Sequence, residues 1–121
     1  MGAFELLRSE NLSGDRTRSC YKISQSPVDL SKKVMGLSEF GIDKIRLTID
    51  GEEMQPDKKV LITSVVELLS IHEKCSISSC SFKGTYGGEN VEMVVDYGLK
   101  MFNIVTEDSS IIQSIIKDLE G

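Results

Sequence analysis

At 121 residues the chain has the length of one domain. Its 40% hydrophobic and 27% charged side chains fit a globular protein, not a disordered or fibrous one. No stretch approaches the ~20 apolar residues of a helical membrane span, and a net charge of −5 disfavours nucleic acid and anionic lipid as direct partners.

With no Trp and 6% aromatics, the core must come mainly from Ile, Leu, Val and Met. The charge is uneven. Residues 1–60 hold ten basic and ten acidic side chains, whereas residues 61–121 hold four lysines against nine carboxylates. The second half therefore carries the whole acidic excess and favours a basic partner surface. The three cysteines, Cys20, Cys75 and Cys80, are odd in number. Met1 to Arg8 lacks the basic start and long apolar run of a secretory leader, and Leu6 stands where a myristoylation signal needs Ser or Thr. A reducing, cytoplasmic location is expected.

Taken in order, residues 3–8 lean apolar and predict a strand, and Ser9 to Asp15 is loop chemistry. Residues 17–24 predict a second strand. The two are expected to pair as a hairpin; a partly ordered extension over residues 1–25 is the competing reading. Ser26-Pro27-Val28-Asp29 starts a helix, with Ser26 as cap and Pro27 at the first helical position. Leu30, Val34 and Leu37 recur on one face of it, and Gly41 is its expected stop.

Lys44 to Asp50 alternates cleanly: Ile45, Leu47 and Ile49 face one way, and Lys44, Arg46, Thr48 and Asp50 the other. That pattern predicts a strand with one face wet, and Asp50-Gly51 a turn. Residues 58–74 are ambiguous between strand and helix; a strand at 59–63 followed by a helix at 64–74 suits Thr63 and Ser64 as caps.

From Ile77 onward the pattern predicts three strands and a helix. The strands carry Cys80, Phe82 and Tyr86, then Val91, Met93 and Val95, then Met101 to Val105. Gly87-Gly88 and Tyr97-Gly98 supply the turns. The last strand is apolar on both faces, which places it centrally or under helices. Ser110 and Gln113 stand in capping-box register, and Ile112, Ile116 and Leu119 form an apolar row. The expected fold class is α+β: a single small domain over 1–121, with a mainly antiparallel sheet, a three-strand meander at 77–106, and two or three helices including one at 109–120. Over residues 27–120 the inferred element order is similar to that of roadblock and longin-type domains, a resemblance that implies a binding or dimerisation module.

Sites are sparse. His72-Glu73-Lys74-Cys75 with Cys80 has the spacing H-x2-C-x4-C, and Cys20 would complete a Cys₃His set for zinc. The absence of a C-x-x-C pair and the core register of Cys80 with Phe82 favour packing over metal. His72 is the sole histidine, and at i, i+3 on a helix it makes a poor dyad with Cys75. Gly84-Thr85-Tyr86-Gly87-Gly88 lacks the Lys-Ser/Thr ending of a phosphate loop. No catalytic set, metal site or cofactor is expected. The acidic half points to a non-enzymatic protein-binding module, an inhibitor, immunity-type antagonist or adaptor of a basic protein. Its candidate partner-binding residues are Glu89, Glu92, Asp96, Glu107 and Asp108. The alternatives are a self-associating domain that forms a homodimer, and a small enzyme or ligand-binding domain with a pocket invisible in one sequence.

Overall fold

The computed structural model describes residues 4–49, 52–54 and 77–120. In chain order the elements are β1 (Phe4–Asn11), β2 (Thr17–Ile23), α1 (Pro27–Met35), β3 (Phe40–Ile49), β4 (Glu52–Met54), β5 (Ile77–Tyr86), β6 (Glu89–Asp96), β7 (Met101–Thr106) and α2 (Ser110–Glu120). The strands form one sheet in the order β1-β2-β7-β6-β5-β3-β4, and every pairing is antiparallel. The result is an α+β domain. The strand and helix expected within 58–74 lie outside the described residues, as do His72 and Cys75.

Alternation decides which face of the sheet is covered. Val91, Met93 and Val95 of β6 are buried while Glu92, Val94 and Asp96 are half-buried; in β7, Phe102, Ile104 and Thr106 are buried and Met101, Asn103 and Val105 are half-buried. Strand registers join these positions into continuous rows. One runs Leu47, Cys80, Val95, Phe102, Tyr21; the next runs Ile45, Phe82, Met93, Ile104, Ser19. Both helices close over this face. Leu30 and Val34 of α1 and Ile112, Ile115, Ile116 and Leu119 of α2 join the strand residues in one core cluster. Each such aliphatic or aromatic side chain contributes roughly 1.5–3 kcal/mol by leaving water.

Two tyrosines, Tyr86 buried and Tyr97 half-buried, tie the helices to the sheet. Tyr97 shares a 2.6 Å hydrogen bond with Ser31, whose hydroxyl also donates to the Pro27 carbonyl at 2.9 Å. Tyr86 donates to Asp118 on α2 at 2.5 Å. The tyrosines stand at opposite ends of the covered face, so α1 and α2 are each fixed at a different end.

Several expected boundaries move. β1 runs through Ser9, Glu10 and Asn11, expected as loop, because each pairs across to β2. The true turn lies beyond, with Gly14 at φ 77° and Asp15 at φ 62°. The hairpin is part of the sheet, since β2 also pairs with β7. Ser26 makes no side-chain cap bond, and α1 stops at Gly36, whose N–H reaches Lys32 and Lys33 carbonyls. Gly41, the expected stop, instead lies within β3 opposite Thr85. The C-terminal helix starts at Ser110, and the carboxylate of Asp108 does the capping: Oδ1 accepts the Ser110 N–H at 3.0 Å and its hydroxyl at 2.6 Å.

Gly87 and Gly88 form the two-residue turn, at φ 58° and 84°, as a type I′ hairpin requires. In the next turn the left-handed residue is Lys100, at φ 52°, not Gly98. Gly84 serves a different purpose. It faces β3 beside a bulge at Asp43, and a Cβ there would lie 1.9 Å from the Gly41 carbonyl oxygen. The obstacle is backbone, so it cannot swing aside. Gly84→Ala is expected to lower stability by about 2–3 kcal/mol, measured by urea unfolding. The turn variant Gly88→Ala, which meets no atom within 4 Å, carries only the strain of its positive φ, about 1 kcal/mol.

Candidate functional site

The five carboxylates expected to share one face divide between two places. Glu92 and Asp96 project from β6 away from the helices, on the side opposite Val91, Met93 and Val95. Ser81 donates to Glu92 at 3.4 Å, and Asp96 accepts the Leu99 N–H at 2.9 Å. Glu89 lies three residues before Glu92, and an odd offset on a strand reverses the face. It stands opposite Tyr86 at the turn end of the sheet. Thr106 pairs with Val91, so Glu107 and Asp108 leave β7 at that same end.

Two carboxylates not singled out in the sequence join Glu89, Glu107 and Asp108 there. Asp118 accepts the Tyr86 hydroxyl, and Glu39 precedes Phe40, which pairs with Tyr86. The bond to Asp118, burial, and the charges of Asp118 and Glu39 together push the Tyr86 phenol up to about 12. Asp108 is held below its ordinary value by its bonds to Ser110. Strand register places Glu39, Glu89, Glu107 and Asp108 at this end, and the Tyr86 bond brings Asp118 to it.

The uncovered face is mixed. Lys44, Arg46 and Lys83 are exposed at one side, and Val94, Met101 and Val105 are half-buried in the middle. Glu10 binds Arg8 and Arg18, each at 2.9 Å, and these two guanidiniums hold its carboxyl below the usual range.

Cys80 belongs to the covered row of Val95 and Phe102, whereas Cys20 pairs with Asn103 on the other face. Three strand spacings, about 14 Å, also separate them. They cannot ligate one ion, which removes Cys20 as the fourth zinc ligand considered from sequence. Burial pushes the Cys80 thiol up to about 12 and raises that of Cys20. Among the described residues no group of three His, Cys, Asp or Glu side chains is placed to hold a metal ion, and no helix is long and apolar enough to cross a membrane.

The large apolar side chains left exposed among the described residues are Leu6 at 53%, Leu7 at 48% and Leu99 at 69%. All three lie toward the same end of the sheet, Leu6 and Leu7 on β1 and Leu99 on the β6–β7 turn two strands away. Among the described residues β1 is an edge strand, pairing only with β2. Its Phe4 lies opposite Ile23, and the Ile23 N–H donates to the Lys100 carbonyl at 3.1 Å, beside Leu99. The Leu99 turn is held at three points: by Asp96, by Ile23, and by the Tyr97 N–H donating to the Ser78 carbonyl.

No protein-family model matches the chain, and no curated protein or solved structure matches it significantly. The resemblance to roadblock and longin-type domains, which relied on elements within 58–74, gains no support from these comparisons.

The two tyrosines that tie the helices to the sheet have a pH signature. Tyr86 and Tyr97 hold their protons more tightly folded than unfolded. Their stabilisation is complete below the ordinary tyrosine value of about 10 and is lost as pH rises from there. Stability is expected to fall as pH rises from about 10, because both phenols must lose protons that the fold holds. Urea midpoints above that pH should decline less steeply in Tyr86→Phe than in the wild type.

Proposed function

We propose that the chain is a non-enzymatic protein-binding module that docks its partner at the corner formed by β1 and the β6–β7 turn. The observation that carries this reading is the exposure of Leu6, Leu7 and Leu99 toward one end of the sheet at its β1 edge. Exposed apolar side chains scattered singly need no explanation, but gathered on ordered backbone they mark interaction surfaces. Leu99 sits on a turn anchored from three sides, so burying it costs little ordering entropy. Beside it, the outer edge of β1 has no strand partner among the described residues, and an added strand would satisfy its N–H and C=O groups.

A second contact is favoured by the acidic end. Glu39, Glu89, Glu107, Asp108 and Asp118 would steer a basic partner and speed its association, as an inhibitor or antagonist of a basic protein requires. Glu92 and Asp96 lie away from this end and would join only a partner that wraps onto the uncovered face.

Affinity capture from the native host separates the two contacts. A partner held by the wild type and lost with Leu99→Lys, at low and moderate salt alike, supports the corner. A partner lost on raising salt and with Glu89→Gln/Glu107→Gln supports the acidic end. A partner unaffected by both substitutions places docking elsewhere and removes this reading.

A further inference from the structure

We infer that the occupant of the β1 edge is a second copy of this chain, joined β1 to β1 in antiparallel fashion, so that two sheets become one. This rests on the docking corner proposed above and names what fills it.

The ladder between β1 and β2 supplies the argument. Register passes from Leu6 opposite Tyr21 directly to Arg8 opposite Cys20, leaving Leu7 as an extra residue in a bulge. The bulge resets the alternation. Glu5 lies opposite Lys22 and Arg8 opposite Cys20, two residues apart on β2, so both project from the uncovered face although three positions separate them. Without the bulge they would point to opposite faces.

In an isologous dimer the same patch meets itself about a two-fold axis. An axis near Leu7 brings the leucines of the two copies together. It also sets Glu5 of each copy beside Arg8 of the other, on the same face, one residue apart along strands about 4.8 Å from each other. The contact thus joins apolar side chains, two complementary charge pairs and backbone groups that pair with no other described strand. Phe4 and Tyr21, packed edge to face at 6.1 Å, support β1 from the covered side. Arg8 also holds Glu10 within its own strand, which fixes the guanidinium over the uncovered face before a partner arrives.

Sedimentation velocity of the full chain over a wide concentration range is the test, with amide hydrogen exchange on β1 read in parallel. The mass is expected to rise from one chain toward two, with β1 amides becoming more protected as it does. Leu7→Lys, at an exposed position, should leave a folded one-chain species. Glu5→Arg should weaken association about tenfold, and Glu5→Arg/Arg8→Glu should restore it. A one-chain mass at every concentration overturns the inference, and so does a dimer indifferent to Leu7→Lys. If the wild type stays a single chain while Leu99→Lys and Leu7→Lys abolish capture of a host protein, the corner stands as a docking site and only the second-copy occupant falls.

Discussion

One-sided burial of the central strands is the constraint on which the described structure depends. β6 and β7 sit in the middle of the sheet and turn Val91, Met93, Val95, Phe102 and Ile104 toward the helices. Antiparallel pairing through short turns keeps all these side chains in register, so both described helices find one continuous apolar floor. Only then can two tyrosine hydroxyls place them, Tyr97 through Ser31 and Tyr86 through Asp118. The close approach of β3 and β5 at Gly84 follows from the same demand. The bulge at Asp43 lets Ile42 return to the covered side, and the backbones meet where a side chain would have stood.

Much of this was legible in the sequence where a periodic signal and a local signal agreed. Ile45 and Leu47, and the alternating residues of β5 and β6, announce strands without help, and Gly87-Gly88 announces the turn between two of them. Where local chemistry spoke alone it misled. Ser9, Glu10 and Asn11 are loop-forming residues, yet pairing with β2 outweighs that preference. Gly98 looks like the left-handed residue of its turn, but Lys100 takes that conformation, held by the Ile23 bond to its carbonyl and by the Asp96 cap on its neighbour. Bulges at Leu7 and Asp43 leave no trace in composition, and each resets which residues share a face.

The acidic residues were visible as a count but not as a place. Glu89, Glu107 and Asp108 meet at one end only because β6 and β7 pair in a particular register, while Glu39 and Asp118 arrive from elements distant in sequence. Glu92 and Asp96 were separable from Glu89 in principle, since offsets of three and seven along a strand both reverse the face. Leu6, Leu7 and Leu99 gave no warning at all. An exposed leucine differs from a buried one only by what packs on it, and that is settled by strand order, the quantity a single sequence specifies least.

The two described thiols give the fold a chemical memory. Cys20 and Cys80 are both buried, under different faces of the sheet, and disulfide geometry demands Cα atoms within about 7 Å. No motion short of dismantling the sheet brings them together. A covalent link between these two positions would therefore form only in chains that had unfolded, and once made it would bar their return. Oxidative conditions would act on this protein as a ratchet, holding chains that link these thiols while unfolded out of the native state until the bond is reduced, at a rate limited by how often the sheet opens.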